Sequence, residues 1–239
     1  MPWSDPALPL VRLRKVFATV PVTAIKPRHA YRYRDEVTRL HGPASANRDL
    51  EVLSHSQSKA VEWGYLDRNP IKGQVRKNPI RRRERYVEDW EVDQALIVAG
   101  PMLRAYVVVK LLTGLRRGDL LRLSVTDLRE DGVHVRTSKT QKCLVIGWSP
   151  ELRDAITVAL DARPKDTAPW VFCNRLGGCY LSANGTANGF DSLWQRFMQR
   201  VIQRTKVTER FQEKDLRKKT ASDMELCLAT RLLGHTLNP

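Results

Sequence analysis

Arg116 sits at a glycine-marked turn ahead of an apolar run, in Thr113-Gly-Leu-Arg116-Arg-Gly-Asp119-Leu-Leu-Arg-Leu123, a setting that points a guanidinium outward at a partner. Three further basic segments follow it. They are Thr137-Ser-Lys139-Thr140, the box Lys214-Asp215-Leu216-Arg217-Lys218-Lys219-Thr220, and Leu233-Gly234-His235. Together they form a set suited to handling phosphate. Breaking a phosphodiester without a metal requires a nucleophile, neutralisation of the two non-bridging oxygens, and a proton for the departing oxygen. Arg116 and Arg217 can each donate paired, charge-assisted hydrogen bonds to phosphate oxygens, and such preorganised cations favour the more highly charged transition state. Lys139, on a turn, suits a proton donor, with Lys142 a rival for the task. His235 can donate to a phosphate oxygen, and Asp119 and Asp215 are expected to orient neighbours rather than react.

Each of these residues alone has a plainer explanation. Arg116 with Arg117 could be a charge pair at a helix start, and Lys139 a solvated hairpin lysine. Lys214, Arg217, Lys218 and Lys219 could be one basic helix face, and His235 a cap. Their coincidence within one chain is what carries weight.

Composition sets the frame around them. The 239 residues suffice for two modest cores, and 41 Lys and Arg against 26 Asp and Glu give a net charge of +15. Such an excess favours a polyanionic partner through long-range attraction and counterion release. It is concentrated early, with 18 basic against 8 acidic residues in positions 1–86. No stretch is long and apolar enough to span a bilayer, no basic amphipathic helix with an aromatic face stands out, and Met1 to Pro9 lacks the order of a secretory signal; a cytoplasmic, nucleoid-associated location is expected. The cysteines, Cys143, Cys173, Cys179 and Cys227, form no C-x-x-C pair and have no histidines at zinc-finger spacing, so reduced structural thiols and no metal or other cofactor are expected.

The elements that must position the basic set are legible from periodicity. Helical spacing covers 30–41 and 45–65, the second with Leu50, Leu53, Ala60, Val61 and Trp63 as its apolar positions, Ser45 as N-cap and Gly64 as its end. Trp63 and Trp194 are read as core aromatics. Asp67-Arg-Asn69-Pro70 breaks the pattern, and Asn78 to Arg85 reads as a charged tether. Two helices are predicted over 87–99 and 102–112, the latter apolar on most sides, then a short one over 119–124 after the arginine turn. Val133 and Val135 alternate with His134 and Arg136 as a strand over 132–136, a turn spans 137–142, and 143–148 returns, so a hairpin presents Lys139. Helices are expected over 151–160, 190–205, 215–224 and 226–233, with Gly177-Gly178 and Asn184-Gly185 in loops.

At this point the chain resembles the tyrosine recombinases, in particular the phage-type integrases. Thr113-Gly-Leu-Arg116-Arg-Gly-Asp119-Leu-Leu is similar to the family's first arginine box, Lys139 to its hairpin lysine, Lys214-Asp-Leu-Arg217 to its second box and Leu233-Gly234-His235 to its third. Ala46-Asn47-Arg48-Asp49-Leu50 through Asn69-Pro70 resembles its helical core-binding domain. The resemblance implies a mostly helical α+β fold, with a core-type DNA-binding domain at 1–80, a basic linker at 81–86 and a catalytic-type domain with a small antiparallel sheet at 87–239, the two domains clamping duplex DNA. It further implies site-specific DNA recombination and integration, a homo-oligomer (a synaptic tetramer) on DNA, and Arg116, Lys139, Lys214, Arg217 and His235 as the catalytic residues. Lys214 stands where many members carry histidine and is a poorer base at neutral pH than imidazole.

One departure accompanies the matches. The family's nucleophile is a tyrosine shortly beyond the last histidine, whereas the tyrosines here, Tyr31, Tyr33, Tyr65, Tyr86, Tyr106 and Tyr180, all precede the second box. On this reading the 239 residues bind DNA and hold a phosphate without cleaving it. An intentionally shortened protein, a degraded integrase gene, or a tyrosine given by a neighbouring protomer each fits, as does a non-catalytic remnant competing for recombination sites. A helix-turn-helix regulator fits less well, because the 214–224 segment lacks a partner helix.

Overall fold

Two arginine-bearing segments more than a hundred residues apart have to be brought together, and the helices around them show how. The computed structural model describes residues 7–81, 84–164, 166 and 168–223, and these divide into two units at Arg83/Glu84, each with its own core.

The first unit contains α1 (Ala7–Phe17), α2 (Pro27–His41) and α3 (Pro43–Glu62). Its core is built from Leu13, Ile25, Tyr33, Val37, Leu50, Leu53 and Ile71. The fully buried Asp49 carboxylate accepts hydrogen bonds from Arg12 at 2.7 and 2.5 Å and from the Tyr33 hydroxyl at 2.8 Å, tying α1 and α2 to α3. Burial and this carboxylate together hold the Tyr33 phenol protonated.

Several sequence expectations are corrected here. α1 lies in the proline-rich start, where no helix is predicted. α3 begins at Pro43 behind Gly42 (φ 82°) rather than at Ser45, because proline at the first helical position has no amide to lose. Trp63 is 68% exposed and not a core aromatic: the buried stripe runs Leu50, Leu53, Gln57, Ala60, and the helix stops at Glu62 before anything can cover the next turn. Asn78, read as the start of a tether, is bound to the first unit. Its amide donates to Asn47 Oδ1 at 2.7 Å, its carbonyl accepts from Asn47 Nδ2 at 2.8 Å, and its side chain donates to Thr38.

The second unit begins at Glu84, and Arg85 is paired with Glu91 at 2.5 Å within it. It contains α4 (Asp89–Ile97), α5 (Pro101–Thr113), α6 (Arg117–Leu121), β1 (Leu128–Arg129), β2 (Gly132–Arg136), β3 (Cys143–Ile146), α7 (Pro150–Asp161), α8 (Asn188–Arg204) and α9 (Glu213–Asp223). The strands form one antiparallel sheet in the order β1-β2-β3, with Val133 opposite Ile146 and Arg136 opposite Cys143. Val133 and Val135 are buried, as their alternation requires; β1 is too short to have shown a period. Phe172, Phe190, Trp194 and Phe197 fill the core beside Tyr106. The fold is therefore mostly helical α+β. The expected helix over 226–233 lies outside the described residues.

α5 and α9 are joined by polar ties within this core. Lys110, 1% exposed, holds Glu213 at 2.5 Å, and the Tyr106 hydroxyl donates to the same carboxylate oxygen at 2.8 Å. One helical turn beyond Arg217, Thr220 donates to the Leu111 carbonyl at 2.9 Å. Burial pushes the Lys110 ammonium below its usual range, while Glu213 acts the other way. Removing one member of a buried pair leaves an uncompensated charge, so Lys110→Met is expected to destabilise the chain by about 3 kcal/mol. The double variant Lys110→Met/Glu213→Gln should regain most of that loss in urea denaturation, whereas simply additive losses would show that the pair does not act as a unit.

Candidate phosphate-binding site

The first arginine is positioned by the end of α5. Gly114 adopts the left-handed conformation (φ 60°), its amide closing on the Lys110 carbonyl at 2.9 Å, and the Thr113 hydroxyl bridges Val109 O and the Leu115 amide. A β-carbon-bearing residue is strained at this φ, which is why glycine precedes the arginine. Leu115 is then buried, and Arg116 emerges as the extended N-cap residue of α6, half-buried, its carbonyl accepting from the Leu120 amide.

The second arginine comes from the first turns of α9. Asp215 closes the start of that helix by accepting from the Gln212 amide at 2.9 Å, so it orients backbone, as expected from its place in the box. Arg217, half-buried, donates through Nη1 to the Gly114 carbonyl at 2.7 Å, clasping the turn that presents Arg116. The two boxes are thus joined by a direct hydrogen bond as well as by the ties between α5 and α9.

The Arg116 charge bears directly on Arg217. The Arg217 pKa is lowered to about 10, first by burial and then by the Arg116 charge, with Asp119 and Glu213 opposing. Arg217 stays cationic at neutral pH, and the repulsion it feels from its neighbour is one an anion between the two would relieve.

Asp119 carries the third connection. It is buried, and its Oδ1 accepts from the Ser138 amide at 2.8 Å, fixing the β2–β3 turn to α6. Its Oδ2 is buried with no hydrogen-bond partner among the described residues. The turn closes through Thr137 N to Lys142 O at 2.9 Å, Thr137 Oγ1 against Thr140 Oγ1, and a positive φ at Gln141. Lys139 is therefore exposed and directly follows the residue held by Asp119. Lys142, also exposed, is tied through its backbone to Thr137. Lys214 is exposed one turn before Arg217 on the same face of α9. His235 lies outside the described residues. The structure thus brings Arg116 and Arg217 together, links the Lys139 turn to them through Asp119, and sets Lys214 beside Arg217.

Lys110, Glu213 and Tyr106 escaped the sequence reading. The available signal was a single lysine inside the apolar run Val107-Val108-Val109-Lys110-Leu111-Leu112, which a buried helix tolerates only with a partner.

The tyrosines of this unit are otherwise engaged. Tyr106 is buried against Glu213, Tyr180 packs edge-on against Phe190 at 5.6 Å, and the Tyr86 hydroxyl donates to Asp223 while Lys219 lies over its ring. In all three the phenol pKa is raised, by burial for Tyr106 and Tyr180 and by the Asp223 hydrogen bond for Tyr86.

Residues 94–236, more than half of the chain and the stretch that includes all five expected catalytic residues, match the sequence profile described as the phage integrase family. The chain belongs to that family. No curated protein sequence matches it. Among solved structures it is similar to a lambda integrase dimer bound to a COC' core site, at 17% identity over 97% of this chain and 83% of that one, with a TM-score of 0.77. It is similar also to the Tn1549 transposon integrase in complex with transposon right end DNA, at 16% identity over 98% of this chain and 86% of that one, with a TM-score of 0.76. XerA recombinase gives a TM-score of 0.52 at 18% identity, covering 96% of this chain and 81% of that one. At these identities the likeness is one of fold, that of the tyrosine recombinases. Among the described residues no helix is long and apolar enough to cross a membrane, and no group of histidine, cysteine and carboxylate side chains could hold a metal ion.

Where two cations are held as neighbours, relieving the repulsion should raise stability even though most substitutions lower it. Arg116→Gln is expected to stabilise the chain by about 1 kcal/mol in thermal denaturation at neutral pH. A loss of similar size would instead make Arg116 a structural residue.

Proposed function

We propose that residues 1–239 bind duplex DNA and activate one backbone phosphate for site-specific recombination. The observation that carries this is the Arg217 hydrogen bond to the Gly114 carbonyl, two residues before Arg116, with the Arg116 charge near enough to lower the Arg217 pKa. In this reading their forks neutralise the non-bridging oxygens as charge accumulates there. Lys139, exposed on its Asp119-held turn, reaches the departing oxygen as proton donor, Lys214 contacts the phosphate from the preceding turn of α9, and His235 adds a further hydrogen bond.

The relatives supply the context. The lambda and Tn1549 structures are described as DNA complexes, the former as dimers on a core site and as a tetramer on a Holliday junction. We infer the same partner here, with assembly of several copies on DNA, the 1–80 helices acting as a core-type DNA-binding domain joined by the basic 81–86 linker to the catalytic-type domain at 87–239, and a place beside the nucleoid. The net charge of +15 supports phosphate contacts as the main source of affinity.

The engaged tyrosines favour a second element of the reading: the described residues furnish the phosphate grip and not the nucleophile.

Fluorescence anisotropy with a labelled duplex should give an affinity that falls by orders of magnitude between about 50 and 200 mM salt. The same chain incubated with a nicked duplex should form no covalent adduct, and an adduct would overturn the assignment of the tyrosines. When a nucleophilic tyrosine is supplied beyond the third box, Arg217→Ala should abolish strand transfer while changing duplex affinity only a few-fold; normal cleavage by that variant would remove Arg217 from the site.

A further inference from the structure

Cys173 and Cys179 face each other across an isolated antiparallel bridge outside the three-stranded sheet. The Asn174 amide donates to the Gly178 carbonyl at 2.9 Å, so the hydrogen bonding flanks the cysteine pair instead of joining it. In pairs of this kind the Cα atoms stand about 4.5 Å apart and both side chains project from the same face. Disulfides span Cα separations of roughly 4.4 to 6.8 Å.

The turn between the two cysteines is held independently of their sulfurs. Asn174 Oδ1 accepts from the Leu176 and Gly178 amides at 2.9 and 3.1 Å, and Gly177 (φ 82°) closes on the Asn174 carbonyl at 2.9 Å. Both thiols are free, Cys173 buried and Cys179 half-buried.

This hairpin is physically continuous with the first arginine box. Cys179 Sγ donates to the Leu121 carbonyl at 3.4 Å, at the last residue of the helix that Arg116 caps, and accepts from the Leu181 amide at 3.4 Å. The segment leading into Cys173 pairs with the residues just after that helix, through Val171 N to Leu123 O at 2.9 Å and Val125 N to Pro169 O at 2.8 Å.

We propose that Cys173 and Cys179 are a dithiol site that closes reversibly to an intramolecular disulfide by exchange with a low-molecular-weight disulfide such as oxidised glutathione, and that closure frees the Leu121 carbonyl behind the Arg116 turn. The more accessible Cys179 thiolate attacks the glutathione disulfide, forming a mixed disulfide and expelling one glutathione thiolate. Cys173, deprotonated in turn, attacks Cys179 Sγ and expels the second. Two protein thiols lose two electrons and two protons, and the glutathione disulfide becomes two thiols. Burial pushes the Cys173 thiol pKa up, which lowers its thiolate fraction and leaves the first attack on the small disulfide to Cys179; Cys173 reacts second, on a sulfur held beside it. To bond Cys173, the Cys179 sulfur must give up its proton and with it the contact to Leu121.

The test uses the full chain carrying Cys143→Ser and Cys227→Ser, which leaves only this pair. After equilibration with oxidised glutathione, intact mass should show the loss of two hydrogens with no glutathione retained. Trypsin cuts after Arg175, between the two cysteines, so the resulting peptides should stay linked until a reductant is added. Amide hydrogen exchange over 120–125 should quicken in the oxidised form. With Cys173→Ser added, Cys179 should instead keep a stable glutathione adduct. A glutathione adduct on Cys179 in the two-cysteine chain, or thiols that remain unreacted, would overturn the proposal. None of these outcomes depends on whether the chain binds DNA.

Discussion

Two arginines of like charge are held close enough for one to bear on the other, and much of the second unit is arranged around that constraint. Left to themselves, Arg116 and Arg217 would separate into solvent, where each is better hydrated and the other is screened. They do not, because Arg217 is half-buried and hydrogen-bonded to Gly114, the residue whose left-handed conformation turns the chain toward Arg116. Burial and then the neighbouring cation lower the Arg217 pKa to about 10, so the arrangement has an unfavourable part. A site that stores repulsion between fixed cations is one that gains when an anion with two acceptor oxygens arrives, and gains more as negative charge on those oxygens grows.

Holding that arrangement requires the two helices to be fixed at the point where they carry it. The Lys110–Glu213–Tyr106 group and the Thr220 to Leu111 hydrogen bond do so from inside the core, on the side of α9 away from solvent. A polar cluster in this place is costly unless each member is partnered, and its geometry is correspondingly exact in what it permits: the start of α9 cannot slide along α5 without stranding a buried charge. Asp119 extends the same logic to the hairpin, since its carboxylate accepts from Ser138 while lying close enough to Arg217 to oppose the loss of its charge. Three segments remote in sequence are thereby set by short polar contacts.

The chemistry-bearing side chains were the most legible feature of the sequence, and the contacts that position them the least. Arg116, Lys139 and Arg217 stood in recognisable settings because glycine, a hairpin period and a charged box are local signals. The hairpin was readable because Val133 and Val135 alternate with polar neighbours. Lys110 and Glu213 were not, since a buried ion pair spanning about a hundred residues leaves no periodic trace, and propensity alone places a lysine on a surface. Trp63 failed for the opposite reason: its spacing was that of a core residue, but the helix ended before a partner could reach it. Asn78 looked like linker by composition and turned out to be fixed by reciprocal hydrogen bonds with Asn47, a pairing visible only in three dimensions.

The central claim is that the arginines grip one phosphorus together, with the hairpin lysine above it. A crystal structure of the chain with a short duplex tests this most directly. A single backbone phosphate within hydrogen-bonding distance of both the Arg116 and Arg217 guanidinium groups, with the Lys139 ammonium directed at the same group, is the predicted result. Guanidinium groups that contact separate phosphates, or that face away from the DNA altogether, would contradict it.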